Sequence, residues 1–237
     1  MLVTNFNVKY YLYSAVQAVY QLFDVGRIHP VREREFRALK STVDYIEAKM
    51  PDAMGFKTQR ALFEHVLREE IPKQGHLLEL GVFRGGTARF TAKRIDGRTL
   101  HGFDSFEGLP EKWGGFDLGK GALDVKGVLP SVPNNVKLYK GWFSDTLPKW
   151  REANPGLIAF MHIDCDVYSS TVDIFRELSS QIGPGTVILF DEYFNYPNWE
   201  NHEFKAWQQF AEQRRIKYTY LGYARQQVAL RVDEAAP

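Results

Sequence analysis

From about residue 75 onward the chain alternates short apolar runs with longer amphipathic segments. The runs "HLLELG", "TLHGF", "VKLY", "LIAFMHI" and "GTVILFDE" are continuous rather than alternating, which is the pattern of strands covered on both faces. Between and after them, apolar residues recur at helical spacing near 85–95, 144–153, 167–182 and 202–215; in the third of these, Phe175, Leu178 and Ile182 share one face. Strands in this rhythm with helices predict a parallel sheet with helices on both sides. The closing stretch "KYTYLGYARQQVALRV" reads instead as two β-rich runs around a short turn, a hairpin that adds an antiparallel edge strand.

Upstream the pattern is helical. "VREREFRALKSTVDYIEAKM" and "KTQRALFEHVLREE" follow breaks at Pro30 and Pro51. Before them, "YYLYSAVQAVYQLF" places Tyr11, Ala15, Ala18 and Phe23 at near-helical spacing, an amphipathic helix that either packs on its own domain or forms a dimer contact or substrate wall. The expected organisation is an N-terminal helical lobe over residues 1–70 and an α/β domain over 71–237, with the lobe as acceptor wall or as the contact of a homo-oligomer. One stretch fits neither pattern. Residues 104–135 are rich in Gly and Pro yet carry Phe106, Leu109, Trp113, Phe116 and Leu118. A structureless loop of that length is usually functional or disordered, and the aromatic residues argue for an active-site lid.

Composition narrows the partners. With 44% hydrophobic residues, and 30 Lys plus Arg against 29 Asp plus Glu, the chain can fill a core and presents no polybasic surface, so nucleic acid is not an expected partner. A single cysteine, Cys165, excludes an intrachain disulfide framework and suits a cytoplasmic location. No window approaches the roughly 18–20 apolar residues that span a bilayer, and the first helix lacks a basic polar face; no membrane association is expected.

The chemistry gathers at strand ends. "LLELGVFRGGTARF" puts Glu79 on the first strand of the sheet and Gly81, Gly85 and Gly86 in the turn before a helix. Glycines there allow a tight turn and close approach to a ligand. A dinucleotide fingerprint needs a middle glycine for the pyrophosphate, and Phe83 stands at that position. A ligand with an amine and a carboxylate but no pyrophosphate, such as S-adenosylmethionine, fits better, with Glu79 serving the amine. Asp104 closes the second strand, as a ribose acceptor or as a cap of the following turn. Trp142 and Phe143 in "KGWFSDTLP" are placed to meet the adenine. The expected cofactor set is Glu79, Gly81, Gly85, Thr87, Asp104, Ser105, Trp142, Phe143 and Asp164.

"HIDCD" and "LFDEY" end two further strands. If these are adjacent, Asp164 and Asp191 converge at the carboxyl edge of the sheet, and with Glu192 they repel unless a cation sits among them. Oxygen ligands suit Mg²⁺, Mn²⁺ or Ca²⁺. Asp166 and the hydroxyls of Ser169, Ser170 and Thr171 read as the start of the next helix. Strand alternation turns Cys165 away from Asp164, as a small buried hydrophobe. His162 is either an orienting residue or proton acceptor, or a satisfied core group. His202 is either a general base or an exposed residue of a helix's first turn.

In order from Glu79 to Tyr193, "ELGVFRGGT", "FDSFEGLP", "GWFSDTLP", "HIDCDVYSST" and "FDEY" resemble the macrocin O-methyltransferase family, which includes sugar O-methyltransferases of macrolide and aminocoumarin biosynthesis. The resemblance covers about half the chain. It implies a Rossmann-like class I methyltransferase fold, with a mostly parallel seven-stranded sheet and an antiparallel C-terminal hairpin. It further implies S-adenosylmethionine as methyl donor and a Mg²⁺ (or Mn²⁺) site on Asp164, Asp191 and Glu192. The family's third ligand is commonly a second Asp, so Glu192 is a departure. Catechol O-methyltransferases are similar at the metal, but where they carry a lysine base this chain has Val167. The expected reaction is methyl transfer to a hydroxyl of a small molecule, a sugar or glycoside first and a phenol second, with Asp164, Asp191 and His202 as the catalytic set. A non-catalytic protein that binds the donor and a metal-dependent hydrolase are the rivals.

Overall fold

The computed structural model describes residues 29–116 and 118–235; the aromatic segment that includes Tyr11 and Phe23 lies outside them. Helix α1 (Pro30–Lys49) leads to a two-residue strand β1 (Met54–Gly55) and helix α2 (Gln59–His65), whose last turn widens to a π-helix at Val66–Glu70. Five strand units follow the sequence pattern: β2 (His76–Leu80), β3 (Leu100–Asp104), β4 (Val136–Lys140), β5 (Ile158–Ile163) and β6 (Val187–Phe190). Helices α3 (Gly86–Ala92), α4 (Phe143–Ala153), α5 (Tyr168–Leu178) and α6 (Glu203–Gln213) lie where helical spacing predicted them, and β7 (Lys217–Ala224) and β8 (Gln227–Glu234) form the closing hairpin.

The strands make one eight-stranded sheet in the order β1-β7-β8-β6-β5-β2-β3-β4. All pairings are parallel except those of β8 with β6 and β7. Two details correct the sequence-based picture. The sheet has eight strands rather than seven, because Met54 and Gly55 pair with Gly222 and Tyr223; two residues are too few to leave a periodic signal. The antiparallel strand β8 is interior, inserted between β6 and β7, and not an edge.

Both faces of the sheet are covered. All six residues of β5 are buried, as a continuous apolar run requires. Alternate residues serve two layers: Leu78, Met161, Ile163 and Phe190 pack with Trp150, Phe175 and Trp207 on one side, while Leu77, Phe160 and Leu189 pack with Leu62, Phe63 and Ala88 on the other. Among the described residues no helix is long and apolar enough to cross a membrane.

The order reverses at β2, which lies between β5 and β3, and a crevice at the carboxyl ends of the strands is the ligand position of such sheets. The ladder runs past the strand ends there. Asp164 N–H donates to Leu80 O, Asp191 N–H to Ile163 O and Gly81 N–H to Phe103 O, each at 2.9 Å. These bonds bring the acidic tips to one edge.

Candidate active site

Gly81 fixes how closely two of those tips approach. Its φ is +103° and a Cβ there would lie 1.7 Å from the Asp164 carbonyl oxygen, so only glycine fits. The turn after it is held by Asp104: Oδ2 accepts the N–H groups of Val82 (2.8 Å) and Phe83 (2.7 Å), and Oδ1 accepts that of Phe106 (2.6 Å). Asp104 thus braces the glycine turn as well as its own loop, using three of the roughly four lone-pair directions of a carboxylate. Gly85, at φ +71°, is the N-cap of α3, and Thr87 lies within that helix.

A cleft opens beside this turn. Its lining brings together Gly81, Asp104, Ser105, Trp142, Phe143 and Asp164 from the expected set, with Pro110 and Leu123 from the 104–135 segment. Glu79, Gly85, Thr87, Asp191, Glu192 and His202 are not part of that lining. Trp142 is 39% exposed. Glu79 is fully buried and neither oxygen makes a well-aligned hydrogen bond. Burial, then the charge of Asp191, push its pKa well above the usual carboxylate range, against a smaller pull from the Ala88 N–H.

At the ends of β5 and β6 the carboxylates crowd together. One ligand atom each from Asp164, Asp166 and Glu192 lie within 4.8 Å of one another, and so do atoms of His162, Asp164 and Asp191. His162 is fully buried, with Nε2 3.4 Å from Asp191 Oδ1; the Gln227 amide donates to the same oxygen. Burial raises the pKa of Asp191, but the His162 contacts and the Gln227 hydrogen bond outweigh it, and the net shift is downward. The others move the opposite way. Burial, then Asp191, push Asp164 and Glu192 well up, and burial followed by Asp191 and Asp104 raises Asp166 to about 7. One anion among buried carboxyls makes every further ionisation costly unless opposite charge is present.

Asp166 departs from its expected role. The N-cap of α5 is Val167, with no side-chain cap bond, and Asp166, at φ +66° and 6% exposed, faces the cleft and the cluster. The cap comes from elsewhere: Glu111 Oε1 accepts from Ser169 Oγ (2.7 Å) and from its N–H (3.4 Å). The same segment seats Trp113, which is buried, and Phe116, whose ring stacks on Tyr196 at 5.3 Å between centroids. Cys165 is buried and meets the Thr171 hydroxyl at 3.4 Å, the small buried residue expected of it. His202 is half-buried at the start of α6; burial lowers its pKa, and nearby Glu111 opposes that.

Three residues in or beside the cluster were not placed there from sequence: Asp166, read as a helix start, and Gln227 and Glu203, given no role. Asp166 had a signal, since two acids two positions apart at a strand end share a face. Gln227 and Glu203 had none, because a polar residue opening a strand or helix is ordinary. The expected ligands fall in two groups that share Asp164, one with Asp191 and His162 and one with Glu192 and Asp166; their carboxylate oxygens, with the buried Glu192 Oε2 lacking a hydrogen-bond partner, suit a hard divalent cation.

Known proteins of similar sequence and fold are methyltransferases. A tetracenomycin-C rhamnosyl 4'-O-methyltransferase of Streptomyces olivaceus is 33% identical over 153 residues, covering 55% of this chain and 56% of that protein. Mycinamicin III 3''-O-methyltransferase of Micromonospora griseorubida is 29% identical over 154 residues, covering 55% and 59%. The chain therefore spans a little over half the length of the curated relatives it matches. Among solved structures, the calicheamicin methyltransferase CalS11 has the same fold, with a TM-score of 0.56 at 22% identity over 85% of this chain and 93% of that one. The family model described as Macrocin-O-methyltransferase (TylF) matches residues 49–222, and the chain belongs to the macrocin O-methyltransferase family.

Proposed function

We propose that the protein is a cation-assisted O-methyltransferase that moves the methyl group of S-adenosylmethionine to a sugar hydroxyl of a glycoside. The observation that carries the reading is the crowding of Asp191 and Glu192 against Asp164, which with Asp166 lines a cleft whose other walls are Gly81, Asp104 and Trp142. The Streptomyces olivaceus relative is named for methylating a rhamnosyl-bearing natural product, which supports a sugar acceptor over a phenol.

In this reading Asp104 and Ser105 hold the ribose, Trp142 and Phe143 cover the adenine, and Glu79, with Gly81, Gly85 and Thr87 around it, serves the amino acid end. Asp164, Asp191 and Glu192 would hold Mg²⁺ or Mn²⁺, which supplies Lewis acidity that lowers the pKa of an acceptor hydroxyl. The hydroxyl oxygen forms a bond to the methyl carbon as the carbon–sulfur bond breaks. Its proton goes to Asp166, which lines the cleft beside Asp164 and Glu192. His202, outside the cleft lining, faces the acceptor instead. His162 and Gln227 keep Asp191 oriented and ionised. The segment with Trp113 and Phe116 excludes water.

The test is formation of S-adenosylhomocysteine with a panel of glycosides, nucleotide sugars and catechols, with and without chelator. Turnover on a sugar-bearing acceptor that chelation abolishes and Mg²⁺ or Mn²⁺ restores is the expected result. Donor binding without turnover on any acceptor, or turnover indifferent to chelator, would overturn it.

A further inference from the structure

Glu203 is the first residue of α6, where an acidic side chain ordinarily faces solvent and complements the helix dipole. Here it is fully buried. Its Oε1 accepts the N–H groups of Cys165 (3.3 Å) and Asp166 (3.2 Å), and its Oε2 accepts that of Glu192 (3.3 Å). One carboxylate therefore binds two chain segments at once, one following β5 and the other following β6. These are the segments that carry Asp164 and Asp166 on one side and Asp191 and Glu192 on the other. The strand ladder joins them only as far as the bond from Asp191 N–H to Ile163 O, and Glu203 joins them beyond it.

A fully buried carboxyl beside four others is electrostatically unfavourable. A neutral side chain would relieve the repulsion and could still fill the space. What it would lack is the pair of acceptor oxygens, each aimed at a different segment. The geometry points to Glu203 as a positioning residue that sets the spacing of Asp164 and Asp166 against Asp191 and Glu192, and through that spacing the affinity of the cluster for a divalent cation. This inference rests on the cation-assisted reading of the site.

The test is Mn²⁺ binding to the purified full chain, followed by the electron paramagnetic resonance signal of free Mn²⁺. Glu203→Gln keeps the shape but leaves one acceptor oxygen and sets an NH₂ group against a backbone N–H, so one segment loses its anchor. Mn²⁺ affinity is expected to fall roughly 10- to 100-fold, the range seen when residues supporting metal ligands are removed. S-adenosylmethionine affinity, measured by calorimetry on the same sample, is expected to stay within about twofold of wild type. Unchanged Mn²⁺ affinity in Glu203→Gln overturns the assignment while leaving the cation site standing. Equal loss of Mn²⁺ and donor affinity overturns it as well, since that is the mark of a general structural role. Should wild type itself bind no Mn²⁺, the cation reading and this inference fall together. If Glu203→Gln does not fold, Glu203→Asp answers the same question: it keeps both oxygens but draws them back by one methylene, so Mn²⁺ affinity should again fall, and an unchanged value overturns the proposal.

Discussion

Two parts of the same sheet edge carry acidic residues and treat them in opposite ways. At the ends of β2 and β3, Asp104 is surrounded by donors: three backbone N–H groups point at its two oxygens. At the ends of β5 and β6, Asp164 is close to both Asp166 and Glu192 and, in a second group, to Asp191 and His162, and the pKa values of Asp164, Asp166 and Glu192 are driven upward by burial and then, in each, by Asp191. The first arrangement is electrostatically complete within the protein. The second is stable only with its protons retained or with a cation among the oxygens. One half of the edge is built to hold a turn in shape, and the other to bind charge.

The largest expected effect comes from breaking the point where the halves meet. Gly81→Ala would drive a methyl group into the Asp164 carbonyl at a backbone conformation hostile to L-residues, so the tips of β2 and β5 must separate. A loss of about 4 kcal/mol or more in urea unfolding is expected. A near-neutral result would mean that the two halves are not mechanically joined.

Asp104→Ala sharpens the contrast from the completed side. Three N–H groups lose their acceptor, and S-adenosylmethionine affinity, read by calorimetry, should weaken by about 1 to 3 kcal/mol. Mn²⁺ binding should persist, because Asp104 is not among the groups that would hold the cation. Simultaneous loss of both ligands would show the halves to be one unit.

Glu111→Ala is the smallest perturbation. It removes the cap that the 104–135 segment lends to α5 at Ser169, worth about 0.5–2 kcal/mol. Proteolysis between Glu111 and Lys126 should accelerate while global unfolding shifts little; unchanged cleavage would mean that this contact does not hold the segment down.

How much of this was legible in the sequence differs between the halves. The Gly81 turn and Asp104 stood out because a glycine turn, a helix and an acid at the next strand end follow one another in order, and backbone geometry dictates that spacing. Asp164, Asp191 and Glu192 could be placed at strand ends by the same logic. Asp166 was misread, since an acid just before Ser, Ser and Thr has the composition of a helix cap, and only the fold shows that Glu111, 58 residues upstream of Ser169, supplies the cap. Glu203 and Gln227 were invisible for a related reason. Their burial depends on how α6 and β8 pack against the strand ends, a tertiary fact without a local period. The strand Met54–Gly55 and the interior place of β8 likewise follow from pairing across the chain rather than from any local pattern.

Whether the ends of β5 and β6 form a cation site is decided by titrating Mn²⁺ into metal-free protein by calorimetry in buffers of different ionisation heat. Carboxyls that burial and Asp191 hold protonated must give up protons to coordinate, so binding should release protons. Asp166, at about 7, is still largely protonated below that pH and ionised above it. Affinity should therefore rise, and proton release fall, as pH increases from about 6 to 8. Asp164→Asn should lose the binding. Binding of one Mn²⁺ with that pH dependence is the predicted result, and no Mn²⁺ binding by the wild-type protein, or equal binding by Asp164→Asn, would contradict it.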